Sequence, residues 1–239
     1  MENNCSVMNQ DHEKFGDGKR PAFWRVDVLA WVVINVSLLA LLVMAASPGS
    51  AAEKPVRILM LGDSLTSGLG LIKGESLPDR LEAALQTAVP GARVLNAGVS
   101  GDTTAGGRSR LAWSLAARPD ALIVALGAND GLRGLAPKQT FANLDAIIGT
   151  AKKAGIPVLL AGMRAPPNLG KEYGAAFDAV FPRLAAKHGI ALFPFLLAGV
   201  AAKPDLNQDD GIHPNPDGIA VIVENILPYV LKLIERAGH

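Results

Sequence analysis

The stretch VRILMLGDSLTSGLG, from Val56 to Gly70, joins an apolar run to a glycine-rich turn. An apolar run bounded by a glycine is typical of a strand buried on both faces of a parallel sheet, so residues 56–61 predict such a strand. The turn after it could bind a phosphate, cap the next segment through its serine, or expose a nucleophilic serine. It lacks the Gly-Lys-Ser/Thr and GxGxxG patterns of phosphate loops and the GxSxG elbow. The phosphate hypothesis is therefore the weakest of the three.

Short apolar runs alternate with helical periodicities along the rest of the chain. Four more strands are expected, at ARVLNAG (92–98), DALIVALG (120–127), IPVLLAG (156–162) and IALFPF (190–195). Helical spacing predicts helices at about 77–88, 103–117, 141–151, 173–188 and 217–235, the last kinked or split by Pro228. The fold class is therefore α/β, a three-layer α/β/α sandwich with a five-stranded parallel sheet in flavodoxin-like order. In such sheets the active crevice lies at the carboxyl ends of the strands, here at Gly62, Ala97 and Gly127.

Composition excludes several classes of function. The chain has 239 residues and is 49% hydrophobic, which is enough for a sizeable core in one large or two small domains. With 23 basic and 22 acidic residues the net charge is +1, so no electrostatic footprint for nucleic acid is present. The single cysteine, Cys5, allows neither an internal disulfide framework nor a thiolate zinc cluster. We expect a monomer without metal or cofactor.

The N-terminal region has the pattern of a secretory signal. A polar leader covers residues 1–25, an apolar run extends from Val28 to Ala46, and Ser50-Ala51-Ala52 fits a small-x-small cleavage site. We therefore expect a leader and signal at 1–52 and a single domain at 53–239, located in the periplasm or secreted. The apolar run is also long enough for an uncleaved membrane anchor, with a buried helix as a third option, and translation could start at Met8. An anchor would still leave the domain outside the cytoplasm.

A nucleophilic Ser64 requires a base, and His213 is the best candidate. It stands in the loop QDDGIHPNPDG, where Asp210 three residues earlier could hold the imidazole and stabilise its charged form. Asp209 is an alternative, although an i, i+3 contact is more natural than i, i+4 across a glycine. A plain turn with a solvent-facing histidine is the other interpretation. The remaining histidines stand in the leader, at a helix end and at the chain terminus (His12, His188 and His239).

An oxyanion hole needs hydrogen-bond donors aimed at one point. In VSGDTT, Gly101 precedes a helix capped by Asp102 or Thr103, so its N–H can point outward without obstruction by a side chain. Gly98 is the competing choice. Asn129 follows the third predicted strand and could donate its side-chain amide to the same oxygen. Simple turn roles are the alternative for each of these residues.

Taken together, Ser64, Gly101, Asn129 and the Asp210/His213 pair resemble the four sequence blocks of the SGNH hydrolase superfamily, the GDSL esterases and lipases. The resemblance extends from about Arg57 to the C-terminus. It sharpens in LGANDGLRGLAPKQT, MRAPPNLGKEY and QDDGIHPN, which are similar to the bacterial periplasmic multifunctional esterases of that superfamily, which act as acyl-CoA thioesterase, lysophospholipase and arylesterase. It implies that Ser64 is the nucleophile, that His213 is the base oriented by Asp210, and that Ser64, Gly101 and Asn129 form the oxyanion hole.

The implied reaction is hydrolysis of a small-molecule acyl ester or thioester through an acyl-enzyme. Five residues flank the expected crevice and could line an apolar acyl groove or simply pack in the core: Leu132, Met163, Pro166, Leu169 and Tyr173. An aromatic content of 5% argues against a stacking platform for sugars. Two alternatives remain open, a carbohydrate O-acetylesterase on the same scaffold and a non-catalytic flavodoxin-like module that binds a phosphate ligand.

Overall fold

The computed structural model describes residues 55–239 and four positions of the N-terminal segment, 31, 33, 36 and 37, which are helical. The chain divides into two compact units, Met1–Glu53 and Lys54–His239. Apart from those four positions, the predicted leader, apolar run and cleavage site lie outside the described residues, so the division into a processed segment and a mature domain stays a prediction. Within the described part of the chain, no helix is both long and apolar enough to span a bilayer.

Five parallel strands form the sheet of the second unit: β1 (Arg57–Gly62), β2 (Arg93–Gly98), β3 (Ala121–Ala125), β4 (Val158–Ala161) and β5 (Ala191–Phe193). Their spatial order is β2-β1-β3-β4-β5, all parallel, which confirms the predicted α/β class and the flavodoxin-like order. In the register of the sheet, Gly62 at the end of β1 pairs with Gly98 of β2 and Ala125 of β3. The three strand ends are therefore level with one another.

Eight α-helices of the same unit are described: α1 (Ser64–Ser67), α2 (Leu77–Leu85), α3 (Thr104–Leu115), α4 (Ala128–Leu132), α5 (Pro137–Lys153), α6 (Lys171–Asp178), α7 (Val180–His188) and α8 (Pro216–Arg236). Helix α2 packs against α8, while α5 packs against both α3 and α7. Because parallel crossovers are right-handed and the chain reverses its direction across the sheet after β2, these two groups cover opposite faces. The result is the three-layer sandwich.

Burial explains why the strands could be recognised from the apolar runs. All five residues of β3 and all four of β4 are buried, and β1 is buried from Ile58 to Gly62. A strand covered by helices on both faces carries no alternating polar residues, and it therefore reads as a continuous apolar run.

Two helix predictions need correction, and both concern proline. The single helix expected at 173–188 is two helices, α6 and α7, interrupted at Ala179. Pro182 in the first turn of α7 lacks the N–H that would bond the carbonyl of Asp178 in a continuous helix. Conversely, α8 runs unbroken through Pro228, with Ile226 and Val230 on either side of it fully buried. Packing of that apolar face compensates for the missing hydrogen bond.

Candidate active site

Ser64 lies in a tight turn where β1 passes into α1. The side chain of Asp63 caps α1, with Oδ1 accepting a hydrogen bond from the Leu65 N–H at 3.0 Å. Gly62 is required by space, because a Cβ at that position would lie 1.9 Å from the Thr66 hydroxyl and 3.0 Å from the Ala125 carbonyl. The turn leaves Ser64 largely buried, with 9% of its surface exposed, at the wall of a cavity.

The structure brings Ser64, His213 and Asp210 into one hydrogen-bonded line. Ser64 Oγ lies 2.8 Å from His213 Nε2, and His213 Nδ1 lies 2.5 Å from Asp210 Oδ2. The other oxygen of Asp210 accepts the backbone N–H groups of Ile212 and His213, each at 3.0 Å. Asp210, and not its neighbour Asp209, therefore makes the contact with the imidazole that the i, i+3 spacing predicts.

The same contacts keep Asp210 ionised. The backbone N–H of His213, then its imidazole and then the backbone N–H of Ile212 lower the pKa of the Asp210 carboxyl to about 2. All three stabilise the charged form. A carboxylate held in this way fixes the orientation of the imidazole ring and favours its protonated state.

The loop that carries His213 is anchored to the turn that carries Ser64. Gln208 Nε2 donates to the carbonyl of Leu69 at 2.8 Å and to that of Pro214 at 3.0 Å, and its backbone N–H bonds the carbonyl of His213 at 2.7 Å. Asn215 ends the loop by capping α8. The base and the nucleophile are therefore joined by contacts besides their own hydrogen bond.

Gly101 and Asn129 line the same cavity as Ser64 and His213. Gly101 has a φ of +81°, a conformation that glycine adopts without strain, and it precedes Thr103, the N-cap of α3. Gly98, the competing choice, lies beneath α1, where a Cβ would be 2.2 Å from the Ser67 nitrogen. Of the two glycines, Gly101 is thus the one that faces the cavity.

Asp63 is an ionisable group beside the site that the sequence analysis did not single out. Its side chain is 1% exposed, and Oδ2 has no hydrogen bond of ordinary geometry within the described residues. Burial raises the pKa of Asp63 to about 6, and the Leu65 N–H, the His213 charge and the nearby Asn129 amide offset only part of that rise. A carboxyl next to the nucleophile is thus half-protonated near pH 6.

A second buried carboxyl, Asp130, connects the segments that carry Asn129 and Gly101. Its Oδ2 accepts the Thr104 N–H at 2.8 Å, and its Oδ1 accepts the hydroxyls of Thr104 at 2.5 Å and Thr140 at 3.1 Å. Thr104 begins α3, three residues after Gly101. The loop after β3 and the loop after β2 are therefore held together by charge-assisted hydrogen bonds.

The cavity beside Ser64 has a volume of about 480 Å³ and a predominantly apolar lining. Three of the residues predicted for an acyl groove, Leu132, Met163 and Pro166, are in that lining. Other members of the lining were not predicted and come from the turn after β1, the loop after β4 and the segments after β5: Leu65, Leu69, Arg164, Phe195, Leu197, Ala201, Ala202 and Ile212. The apolar composition of residues 195–202 was the available signal, but it is equally typical of core packing.

Leu169 and Tyr173 lie outside this lining, so the prediction for these two residues differs from the structure. The Tyr173 hydroxyl donates to the carbonyl of Leu135 at 2.8 Å, and its ring stacks on Phe177 with centroids 5.9 Å apart. Leu169 packs beside Gly134. Both side chains contact the loop after α4, and the chain leaves the cavity lining after Pro167.

His188 lies at the end of α7, where its side chain contacts α5. Its Nε2 lies 2.6 Å from Asp145 Oδ1, and this contact joins the end of α7 to α5. The neighbouring Lys187 bonds the same carboxylate at 2.7 Å. Together they lower the pKa of Asp145, with Lys187 the largest cause. The pair ties two helices together.

Comparison with known proteins agrees with this geometry. The model of the GDSL-like lipase/acylhydrolase family matches residues 60–221. An arylesterase of Vibrio mimicus is 37% identical over 201 residues, covering 84% of this chain and 99% of its own. Thioesterase 1/protease 1/lysophospholipase L1 of Escherichia coli is 39% identical over 180 residues, covering 75% and 85%. The crystal structure of AlinE4, an SGNH-hydrolase family esterase, has a TM-score of 0.64 at 46% identity and covers 75% and 96%. The resemblance predicted from the four blocks is confirmed, and the chain belongs to the GDSL-like lipase/acylhydrolase family.

Proposed function

We propose that the protein is a serine hydrolase that cleaves the ester and thioester bonds of acyl substrates through an acyl-enzyme on Ser64. The observation that carries this proposal is the line from Ser64 through His213 to Asp210 at the wall of an apolar cavity. A nucleophile hydrogen-bonded to a base, with the base bonded to an orienting carboxylate, is the arrangement that acyl transfer requires.

In the first half of the reaction Ser64 Oγ attacks the carbonyl carbon while His213 Nε2 takes the hydroxyl proton. The carbonyl oxygen becomes an oxyanion, which the N–H groups of Ser64 and Gly101 and the side-chain amide of Asn129 stabilise. Asp210 stabilises the imidazolium that forms and does not itself take a proton. Collapse of the tetrahedral intermediate breaks the bond to the leaving alcohol or thiol, which receives the proton from His213.

In the second half a water molecule replaces the leaving group. His213 removes a proton from the water as its oxygen attacks the acyl carbon, and the same oxyanion donors stabilise the second tetrahedral intermediate. Breakage of the bond to Ser64 Oγ releases the carboxylic acid and returns the proton to the serine. No further group is needed, because the imidazole alternates between base and acid.

The cavity lining supports an acyl group as the part of the substrate that is recognised. Its walls are formed mainly by leucine, methionine, proline, alanine and phenylalanine side chains, which favour a hydrocarbon chain over a hydroxylated one. The relatives are named arylesterase and thioesterase. Both reactions transfer an acyl group to water, and they differ in the leaving group, an alcohol or a thiol.

The carbohydrate O-acetylesterase alternative calls for polar and aromatic groups that would hold a sugar, and the apolar lining does not favour it. Comparing turnover of acetyl-xylan with that of medium-chain acyl esters separates the two. A higher kcat/KM on acetyl-xylan would overturn the acyl-chain assignment.

We also propose that the domain acts outside the cytoplasm, on the strength of the signal-like segment at 1–52. The expected mature N-terminus is near Glu53. N-terminal sequencing of the protein recovered by cell fractionation checks this expectation. A full-length protein in the membrane fraction would instead indicate the uncleaved anchor.

The central test is labelling with a fluorophosphonate followed by mass-spectrometric mapping of the modified residue. Modification of Ser64, together with loss of p-nitrophenyl ester hydrolysis in Ser64→Ala, is the expected result. Wild-type turnover in Ser64→Ala would refute the nucleophile. An unlabelled protein that binds a nucleotide or flavin would favour the non-catalytic binding module.

A further inference from the structure

Arg110 joins three separate backbone segments at the carboxyl edge of the sheet. The residue lies in α3, and 18% of its side chain is exposed. Its Nε bonds Asp102 Oδ2 at 2.6 Å, its Nη1 bonds the Ala97 carbonyl at 2.8 Å, and its Nη2 bonds the Gly62 carbonyl at 2.8 Å. One guanidinium thus bridges the ends of β1 and β2 and the loop that follows β2.

The three acceptors are the immediate surroundings of two oxyanion-hole donors. The peptide that begins with the Gly62 carbonyl leads into Asp63 and Ser64, and Asp102 directly follows Gly101. The Gly62 carbonyl also accepts the Val99 N–H at 3.1 Å, and this bond joins the end of β1 to the loop that follows β2. A shift of either loop relative to the other would therefore stretch a bond to Arg110.

We infer that Arg110 is a positioning residue that sets the N–H groups of Ser64 and Gly101 at the separation an oxyanion requires. This inference rests on the proposed hydrolase function. A planar guanidinium presents donors in fixed directions, and the compact ammonium of lysine cannot reach three such acceptors at once.

The placement of α3 itself does not depend on Arg110. Gly107 of the same helix packs against Leu126 so closely that a Cβ would lie 2.2 Å from it, Leu111 is 4% exposed, and Thr104 is bonded to Asp130. The helix is thus held by its buried face and its N-terminus. The bonds of the Arg110 guanidinium run to the catalytic loops, so their loss should alter those loops first.

The test compares Arg110→Met and Arg110→Lys with a control on the same helix, Arg108→Met. Arg108 is exposed and bonds only the side chain of Asn143, at 3.3 Å, among the contacts of the described residues. For each variant we would measure kcat and KM on p-nitrophenyl butyrate, the affinity for an alkyl trifluoromethyl ketone, the affinity for a primary alkanol of the same chain length, and the melting temperature. The ketone forms a tetrahedral adduct with an oxyanion, whereas the alkanol has no carbonyl or carboxylate oxygen and reports binding of the chain.

In Arg110→Met we expect kcat to fall by about 10- to 100-fold with KM within about twofold, because a misplacement of about 1 Å can cost that much in rate. Affinity for the ketone should fall by a similar factor, while affinity for the alkanol stays unchanged, since only the ketone adduct places an oxyanion against these N–H groups. Arg110→Lys should lie between Arg110→Met and the wild type. Arg108→Met should match the wild type in all four measurements.

A lower melting temperature in Arg110→Met with wild-type kcat and ketone affinity would overturn the inference and leave a structural role. Equal losses for the ketone and the alkanol would overturn it too. If Arg110→Met does not fold, the same measurements on Arg110→Lys decide the question by the same criteria. Failure of the proposed function is distinguishable, because it would show as activity in Ser64→Ala, which the Arg110 inference does not predict.

Discussion

Replacing the buried carboxyl beside the nucleophile, in the variant Asp63→Asn, should change how the stability of the protein depends on pH. Asp63 is 1% exposed, and its pKa is raised by burial from 3.8 to about 6. Asparagine has the same shape and keeps an oxygen to accept the Leu65 N–H that Asp63 Oδ1 accepts at 3.0 Å. The variant therefore removes the titrating charge while it preserves the cap of α1.

The sign follows from which state binds the proton more tightly. Because the pKa in the folded protein is above the unfolded value, the folded state holds the proton of Asp63 at pH values where the unfolded state has lost it. The contribution of Asp63 to the free energy of unfolding therefore falls as the pH rises from about 4 to about 6, and the loss persists above that range. A rise of about two pKa units corresponds to about 3 kcal/mol.

At pH 4 the unfolded-state carboxyl is already about half ionised, so part of this change lies below pH 4. The free-energy difference between Asp63→Asn and wild type should thus be about 2 kcal/mol more favourable to the variant at pH 8 than at pH 4. Any constant cost of the new amide cancels in this comparison. Urea unfolding at the two pH values measures it. For a domain of this size the melting temperature of the variant, relative to wild type, should be about 4–8 °C higher at pH 8 than at pH 4.

The matched control is Asp209→Asn, which removes an exposed carboxylate near the same site. It should show no pH-dependent difference of this size. A stability difference between Asp63→Asn and wild type that is the same at pH 4 and pH 8 would refute the reasoning, because it would mean that Asp63 titrates alike in the folded and unfolded states.

Two further predictions concern the proposed catalytic groups. Asn129→Ala removes one oxyanion donor and should lower kcat by about 10²–10³-fold with little change in melting temperature; a kcat within threefold of wild type would exclude the amide from the oxyanion hole. Asp210→Asn should lower kcat by up to about 10⁴-fold, because the imidazole loses the carboxylate that orients it. A kcat of Asp210→Asn within threefold of wild type would refute this orienting role.

The sheet could be predicted from the sequence because its central strands are buried on both faces. Such strands appear as apolar runs ended by glycine, as in residues 121–126 before Gly127. Helix continuity was less predictable, because proline has opposite outcomes in different surroundings. Pro182 accompanies a break between α6 and α7, whereas Pro228 lies within the continuous α8, whose apolar face packs in the core.

The lining of the cavity shows a different limit. Leu132, Met163 and Pro166 were placed in the groove by their proximity to strand ends. Leu169 and Tyr173 were placed there for the same reason, but they lie outside the cavity lining. Proximity to a strand end does not tell which way a loop folds. The residues after β5, such as Phe195 and Ala201, reach the cavity only because their segment folds back towards the loop that carries His213.

The sequence by itself determined the local parts of this protein: the apolar strands, the glycine-flanked turn at Ser64, and the short-range contact of Asp210 with His213. These features depend on residues near one another in the chain, where the backbone allows few arrangements. Only the tertiary structure brought Ser64 to the imidazole of His213, 149 residues away, and placed Arg110 against three segments at once. Strand order, register and loop direction determine which distant residues come into contact, and they follow from packing of the whole core.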